Sequence, residues 1–116
     1  MLYFENVDKF KIQLYIIIMK FKVEKLPQAE AEIKSLEESQ QKLLGDEYTN
    51  IETQGIEFVR VKPLQKDIFE IKSNELRSLF KYKAGKIIVI GVVFVKKSQK
   101  TPKEIIKLAK KRLKEV

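Results

Sequence analysis

The sequence contains no cysteine and no histidine. Without thiols it has neither a disulfide framework nor a thiolate metal site. Without imidazoles it has no Ser-His triad, no Cys-His nucleophile pair and no His-ligated zinc. We therefore expect no metal and no cofactor, and any catalysis has to use lysine, arginine, tyrosine, carboxylates or backbone groups.

Proline and glycine are also scarce, with three and four copies in 116 residues, while 44% of the residues are hydrophobic. This composition excludes a disordered or fibrous chain and fits one soluble domain with a modest core. The most apolar run, FKIQLYIIIM at residues 10–19, is too short and too closely flanked by Lys11 and Lys20 for a membrane span. The acidic start lacks the basic region of a signal peptide. We therefore expect a cytoplasmic protein without a membrane partner.

Positive charge is concentrated in the second half of the chain, within a net charge of +8. Residues 1–58 hold seven basic and eleven acidic residues, a net charge of −4. Residues 59–116 hold seventeen basic and five acidic residues, a net charge of +12. Such asymmetry is typical of a protein that binds a phosphate backbone, although a lysine-rich solvated face gives the same pattern.

Hydrophobic periodicity predicts an α+β domain over residues 19–116. A strand from Met19 is followed by a helix that opens at Pro27 and ends at Gly45, and by a second short helix that ends at Gly55. Residues 56–61 are either a short strand or an extended link, which Pro63 interrupts. Three strands then form an antiparallel meander at residues 67–72, 76–83 and 86–95. Residues 1–18 are either an extra edge strand or the product of an upstream start, and the pattern leaves both open.

The last element is a basic helix. Thr101, Pro102 and Glu104 predict a capping-box start with proline in the first turn. An apolar stripe follows on the side of the helix opposite five lysines, which predicts a helix with one buried side. The whole pattern describes an N-terminal helical hairpin on a mainly antiparallel sheet of four or five strands, closed by this helix.

Two clusters of polar side chains are candidates for chemistry. Strand alternation places Glu70 and Lys72 on the same face as Arg77 and Lys81, and we expect this face to be open if Phe69 and its neighbours pack under the helices. Such a cluster can hold a phosphate. The second cluster gathers donors just before the last helix, where amide groups favour anions. Its members are Lys96, Lys97, Ser98, Gln99, Lys100 and Thr101. Solvated surface lysines are the competing interpretation of both.

The stretch from Lys66 to Arg112 resembles the C-terminal half of HigB-type toxins of the RelE/ParE superfamily, which include phage-derived proteins. The resemblance rests on the IFEIK strand, an arginine near the start of the next strand, and the hairpin that follows. It also rests on the closing sequence FVKKSQKTPKEI and the basic helix with Ala109 and Arg112. It covers the chain from about Met19 onward.

The resemblance implies a RelE-like fold and a ribosome-dependent mRNA endonuclease that is held inactive by a helix-turn-helix antitoxin. By position, Arg77 corresponds to the arginine at the scissile phosphate, and Lys72 and Lys97 to further catalytic cations. Cleavage by an RNA 2′-hydroxyl needs no metal. Glu70 either orients its neighbours or takes the proton, and Lys72 is the other candidate base. We expect Lys81, Lys96, Lys100 and Lys103 to contact RNA.

Two other functions remain open at this stage. ParE-like proteins share the fold and inhibit DNA gyrase by binding it, without a nuclease site. A noncatalytic RNA-binding module, or a degenerate prophage toxin, would also fit. The set Lys72, Arg77 and Lys97 favours the endonuclease.

Overall fold

Residues 20–116, the part of the chain that the computed structural model describes, form five strands, three α-helices and one short 3-10 helix. The predicted leader at residues 1–18 lies outside the described residues. The elements in chain order are β1 (Lys22–Lys25), α1 (Pro27–Lys34), α2 (Glu38–Thr53), the 3-10 helix (Ile56–Phe58), β2 (Arg60–Gln65), β3 (Ile68–Ser73), β4 (Leu76–Lys83), β5 (Ile87–Val95) and α3 (Lys103–Leu113).

The strands make one sheet in the order β1-β5-β4-β3-β2. β1 runs parallel to β5, and every other neighbouring pair is antiparallel. Tight turns connect β2 to β3, β3 to β4 and β4 to β5. Each turn contains one non-glycine residue with a positive φ: Asp67, Asn74 and Lys86, respectively. The predicted α+β architecture with a mainly antiparallel sheet is therefore confirmed.

Helices cover both faces of the sheet. α1 and α2 pack on one face, where they bury the larger core around Leu44, Ile51, Ile71 and Phe80. α3 packs on the other face over a smaller apolar cluster made of Ile68, Leu79, Val89, Val92, Ala109 and Leu113. Because α3 occupies only part of that second face, it decides which polar residues there are covered. Within residues 20–116, no helix has the length and apolarity needed to cross a membrane.

The first helix of the hairpin ends at Lys34, eleven residues before the end that the sequence predicts at Gly45. Gly45 does not end the first helix but lies inside α2, and the chain turns between Lys34 and Glu38 instead. Glu37 caps α2 through a reciprocal capping box with Gln40. This cap satisfies two otherwise unpaired amide groups, so it starts a helix more strongly than an exposed glycine stops one.

We expect Gly45→Ala to stabilise the protein by about 0.5–1 kcal/mol, because glycine in a helix interior costs that much relative to alanine. A Cβ atom at this exposed position would meet no other atom within 4 Å. Urea unfolding of the two proteins would measure the difference. An unchanged or lower midpoint would show that α2 is not helical at Gly45.

Pro63 lies inside β2 and does not interrupt it, contrary to the sequence prediction. β2 is an outer strand of the sheet, and proline is tolerated at an edge because it need not donate a ladder hydrogen bond there. The register with β3 shifts between Pro63 and Gln65. β2 therefore extends the sheet beyond the three strands of the predicted meander.

A carboxylate from α1 and an arginine from α3 meet at the part of β5 that extends past its pairing with β1. Glu32 accepts two hydrogen bonds from Nη1 of Arg112, at 3.1 and 3.0 Å, and one from the backbone N–H of Val93, at 2.9 Å. Arg112 also donates to the carbonyl of Gly91 at 2.9 Å. The approach is close: a Cβ on Gly91 would lie 2.7 Å from Cγ of Leu113. These contacts fix α3 against the sheet.

Candidate nucleic-acid interface

Three cationic side chains form a row across the sheet on the face that α3 partly covers. Arg60 of β2 lies directly opposite Lys72 of β3, which lies directly opposite Arg77 of β4. Like charges at directly opposed positions destabilise an antiparallel pair. Two such pairs in one row are therefore not explained by sheet stability, and they form a surface that suits an anionic ligand.

The loop after β5 adds further cations to this end of the sheet. The backbone N–H of Lys96 donates to the carbonyl of Glu75 at 2.8 Å, which holds the loop beside the β3–β4 turn. A shallow depression of about 400 Å³ opens there, lined by Glu75, Arg77, Lys96, Lys97, Ser98 and Gln99. The strand residues Lys72 and Arg77 thus lie at the same end of the sheet as the predicted loop residues Lys96 to Gln99.

The environment of Lys72 lowers the pKa of its ammonium group from the usual lysine value. Partial burial is the largest cause, followed by the positive charges of Lys62 and Lys96, with a smaller contribution from Arg60. Glu70 acts in the opposite direction. A lysine with a lowered pKa is neutral more often near pH 7, and a neutral amine can accept a proton.

Arg77 is held by its own turn and lies close to a buried carboxylate. Its side chain is only 12% exposed. Its Nη1 donates to the carbonyls of Asn74 and Leu76, at 2.5 and 2.9 Å. Its Nε lies 3.9 Å from Oε1 of Glu70 and has no hydrogen-bond partner among the described residues. The guanidinium is therefore fixed in place without a short ion pair that would neutralise it.

Glu70 is buried, which corrects the prediction that this face is open. Its exposure is 1%, and its Oε2 accepts a hydrogen bond from the hydroxyl of Thr101. The apolar residues that share the face have to be covered, and the chain covers them with α3 and the segment before it. Thr101 consequently does not cap α3, whose N-cap is Pro102. The predicted capping box is absent.

The remaining predicted RNA contacts are not part of the row. Lys81 lies on the same face but toward its other end, where it donates to the carbonyls of Leu113 and Val116 at 3.4 and 3.1 Å. It borders a separate depression of about 510 Å³ near the end of α3. Lys100 and Lys103 are exposed, one in the loop and one at the start of α3.

Sequence reasoning missed the two cations of β2. Arg60 and Lys62 alternate with Val61, and Lys62 lies opposite Glu70. The alternation of cationic and apolar residues indicates a strand, but Pro63 argued against one. No three acidic side chains come close enough to hold a metal ion within residues 20–116.

The fold that carries this cationic row is RelE-like. The chain is similar to a protein in the crystal structure of the RelBE2 toxin-antitoxin complex from Mycobacterium tuberculosis, with a TM-score of 0.58 and 15% identity over 66% of this chain and 99% of that one. It is also similar to a protein in the archaeal RelE-RelB complex from Pyrococcus horikoshii OT3, with a TM-score of 0.50 and 17% identity over 66% and 96%. These likenesses establish the fold.

The chain belongs to the phage-derived Gp49-like protein family (DUF891), whose sequence profile matches residues 31–114. The match spans α2, the whole of β2 to β5 and α3, and therefore includes the cationic row. No significantly similar sequence was found among curated proteins.

Proposed function

We propose that this protein is the HigB-type toxin of a type II toxin-antitoxin system and that it cleaves mRNA on the ribosome. The observation that carries the proposal is the row of directly opposed cations, Arg60, Lys72 and Arg77, next to a fixed loop with Lys96 and Lys97. Binding of a phosphate backbone to such a surface is favourable, because the phosphates relieve the repulsion between the cations of the free protein. The RelE-like fold and the Gp49-like family support this assignment.

The reaction we propose is attack of an RNA 2′-hydroxyl on the adjacent phosphorus. The new P–O2′ bond forms a cyclic phosphate, the P–O5′ bond breaks, and the leaving 5′-oxygen takes up a proton. Arg77 stabilises the negative charge on the phosphoryl oxygens, since its guanidinium is already held in place. Lys72 in its neutral form accepts the proton of the 2′-hydroxyl, and the ammonium group of Lys97 supplies one to the 5′-oxygen.

Glu70 serves in this proposal as a positioning residue and not as the base. It is almost completely buried, and both of its oxygens face protein groups: Thr101 on one side and Arg77 on the other. A carboxylate in that position orients the guanidinium and the loop but is covered from a bound RNA. The lowered pKa of Lys72 supports the lysine as the base.

The inhibitor in this proposal is a protein encoded next to the toxin gene. The two similar structures described above are those of toxin-antitoxin complexes, RelBE2 and RelE-RelB. A protein with a net charge of +8 attracts an acidic partner segment, and we expect a helix-turn-helix antitoxin with such a segment.

The proposal is tested by inducing the gene with and without the adjacent reading frame and mapping mRNA ends. We expect growth arrest and new mRNA ends that disappear when the neighbour is co-expressed, and cuts in a translating extract. Lys72→Gln should reduce the cuts by at least about 100-fold, whereas Lys34→Gln, which removes one exposed charge from α1, should not change them. Intact mRNA together with inhibited gyrase supercoiling would contradict the proposal.

A further inference from the structure

Phe58 is the most exposed large apolar side chain among residues 20–116. It is 58% exposed, compared with 37% for Leu108 and 36% for Tyr82. Its backbone is nevertheless fixed. The N–H of Phe58 donates to the carbonyl of Gly55 at 3.2 Å, and Ile56 and Val59 on either side are buried in the core. The protein therefore presents the ring of Phe58 to solvent on a short, well-anchored 3-10 helix.

This ring lies at the end of the sheet that carries the cationic row. Phe58 precedes Arg60, the first residue of β2, by two residues, and Arg60 pairs with Lys72 one residue before the end of β3. The backbone of Phe58 is therefore close to the end of the sheet where β3 turns into β4. The same turn holds Arg77 through the carbonyl of Asn74. Cα atoms two residues apart are separated by at most about 7 Å, so one nucleotide can contact both Phe58 and Arg60.

We propose that Phe58 and Arg60 form a subsite for one unpaired RNA base and its phosphate, next to the bond that is cleaved. The inference rests on the proposed function and adds Phe58, a binding residue outside the cationic row. An aromatic ring beside a cation is the arrangement that holds single-stranded nucleic acid, since the base stacks on the ring while the cation binds the backbone. The strands of Arg60 and Arg77 lie about 10 Å apart, two strand spacings. The stacked base is thus one or two nucleotides from the scissile phosphate.

The surroundings of Phe58 favour a base over a protein partner. Its exposed neighbours along the chain are polar, namely Gln54, Glu57 and Arg60. The carboxylate of Glu57 folds back over Gly55, where a Cβ would lie 2.5 Å from Oε1. A protein interface has a contiguous apolar centre, whereas stacking of one base requires a single ring flanked by charge. Phe58 has the second environment.

The first test measures binding of a fluorescein-labelled 2′-O-methyl oligoribonucleotide of about 12 nucleotides, a length that covers such a site and cannot be cleaved. We expect Phe58→Ala to weaken binding about 5- to 150-fold, the range for one lost base–aromatic stack. Phe58→Trp should keep wild-type affinity because its ring also stacks. The matched control is Leu108→Ala, which removes an exposed apolar side chain from α3 and should not change the affinity.

Salt dependence separates the two members of the subsite. Arg60→Gln should reduce the slope of log Kd against log salt concentration by about one, because one phosphate contact is lost. Phe58→Ala should leave this slope unchanged while lowering affinity at every salt concentration. Since Phe58 is largely exposed, the melting temperature of the Phe58→Ala variant should differ from that of the wild-type protein by no more than about 4 °C.

The outcomes distinguish the subsite from the proposed function. If the wild-type protein cuts mRNA but Phe58→Ala binds the oligonucleotide as tightly as wild type, the stacking subsite is wrong and the endonuclease stands. If Phe58→Ala keeps RNA affinity but loses affinity for the protein encoded next to it, the ring is a protein contact and the proposal is overturned. If the wild-type protein neither cuts mRNA nor binds the oligonucleotide, both proposals fail.

Discussion

Replacing Arg77 by alanine is expected to slow mRNA cleavage by about two to three orders of magnitude, the usual effect of losing one donor to a charged transition state. The guanidinium is fixed by two backbone carbonyls before any ligand binds, so it loses little freedom during the reaction. Arg77→Lys should recover only part of the rate, because a point charge cannot make two parallel hydrogen bonds. Single-turnover cleavage in a translating extract measures the change.

The same substitution should also reduce stability, on the order of 2 kcal/mol, because it leaves the buried carboxylate of Glu70 without its nearest cation. The double variant Glu70→Gln/Arg77→Ala provides the control. It removes both charges, so it should regain stability while remaining inactive. An Arg77→Ala protein that cleaves mRNA at the wild-type rate would contradict the proposed site, whatever its melting temperature.

Lys72→Ala is expected to reduce cleavage by about 10²- to 10⁴-fold, the contribution of a general base. In the wild-type protein the rate at saturating RNA should rise about tenfold per pH unit while Lys72 is mostly protonated, and level off once it is neutral. Because partial burial and, after it, nearby cations lower the pKa of Lys72, this levelling should occur below the usual pKa of lysine.

Removing one of those cations gives a sharper test of the same assignment. Lys62→Gln should raise the pKa of Lys72, since the charge of Lys62 lowers it. The pH profile should then move to higher pH, and cleavage near pH 7 should slow although no catalytic side chain has changed. Lys34→Gln on α1 is the matched control and should leave the profile in place. A profile that is flat with pH would exclude Lys72 as the base.

The fold was largely readable from local patterns. Alternation and tight turns define β3, β4 and β5, since each connection is only a few residues long. The sequence prediction was wrong where two local signals favoured different structures. Gly45 suggested a helix end, but the capping box at Glu37 and Gln40 sets the boundary, and the buried side chains of α2 carry the helix through the glycine. Pro63 suggested a break, but its edge position removes the cost.

The site was harder to predict because it depends on a long-range choice. Alternation correctly placed Lys72 and Arg77 on one face of the sheet, where the structure pairs them directly opposite each other. It could not show that α3 returns across this face and covers Glu70, since that depends on packing between residues about 30 positions apart. Arg60 was missed for a related reason. Its position opposite Lys72 exists only after β2 joins the sheet.

The contact of Glu32 at β5 has a consequence for how this protein meets other chains. Where β1 ends, β5 would offer an unpaired amide at Val93 and an unpaired carbonyl at Gly91, which together form a template for strand addition. Glu32 occupies the amide, and Arg112 occupies the carbonyl. Glu32 and Arg112 together thus block this stretch against a foreign strand, and their ion pair joins helices from opposite faces of the sheet. A partner that approaches here must therefore bind side chains. Loss of Glu32 would expose the amide of Val93 to strand pairing with a second copy of the protein.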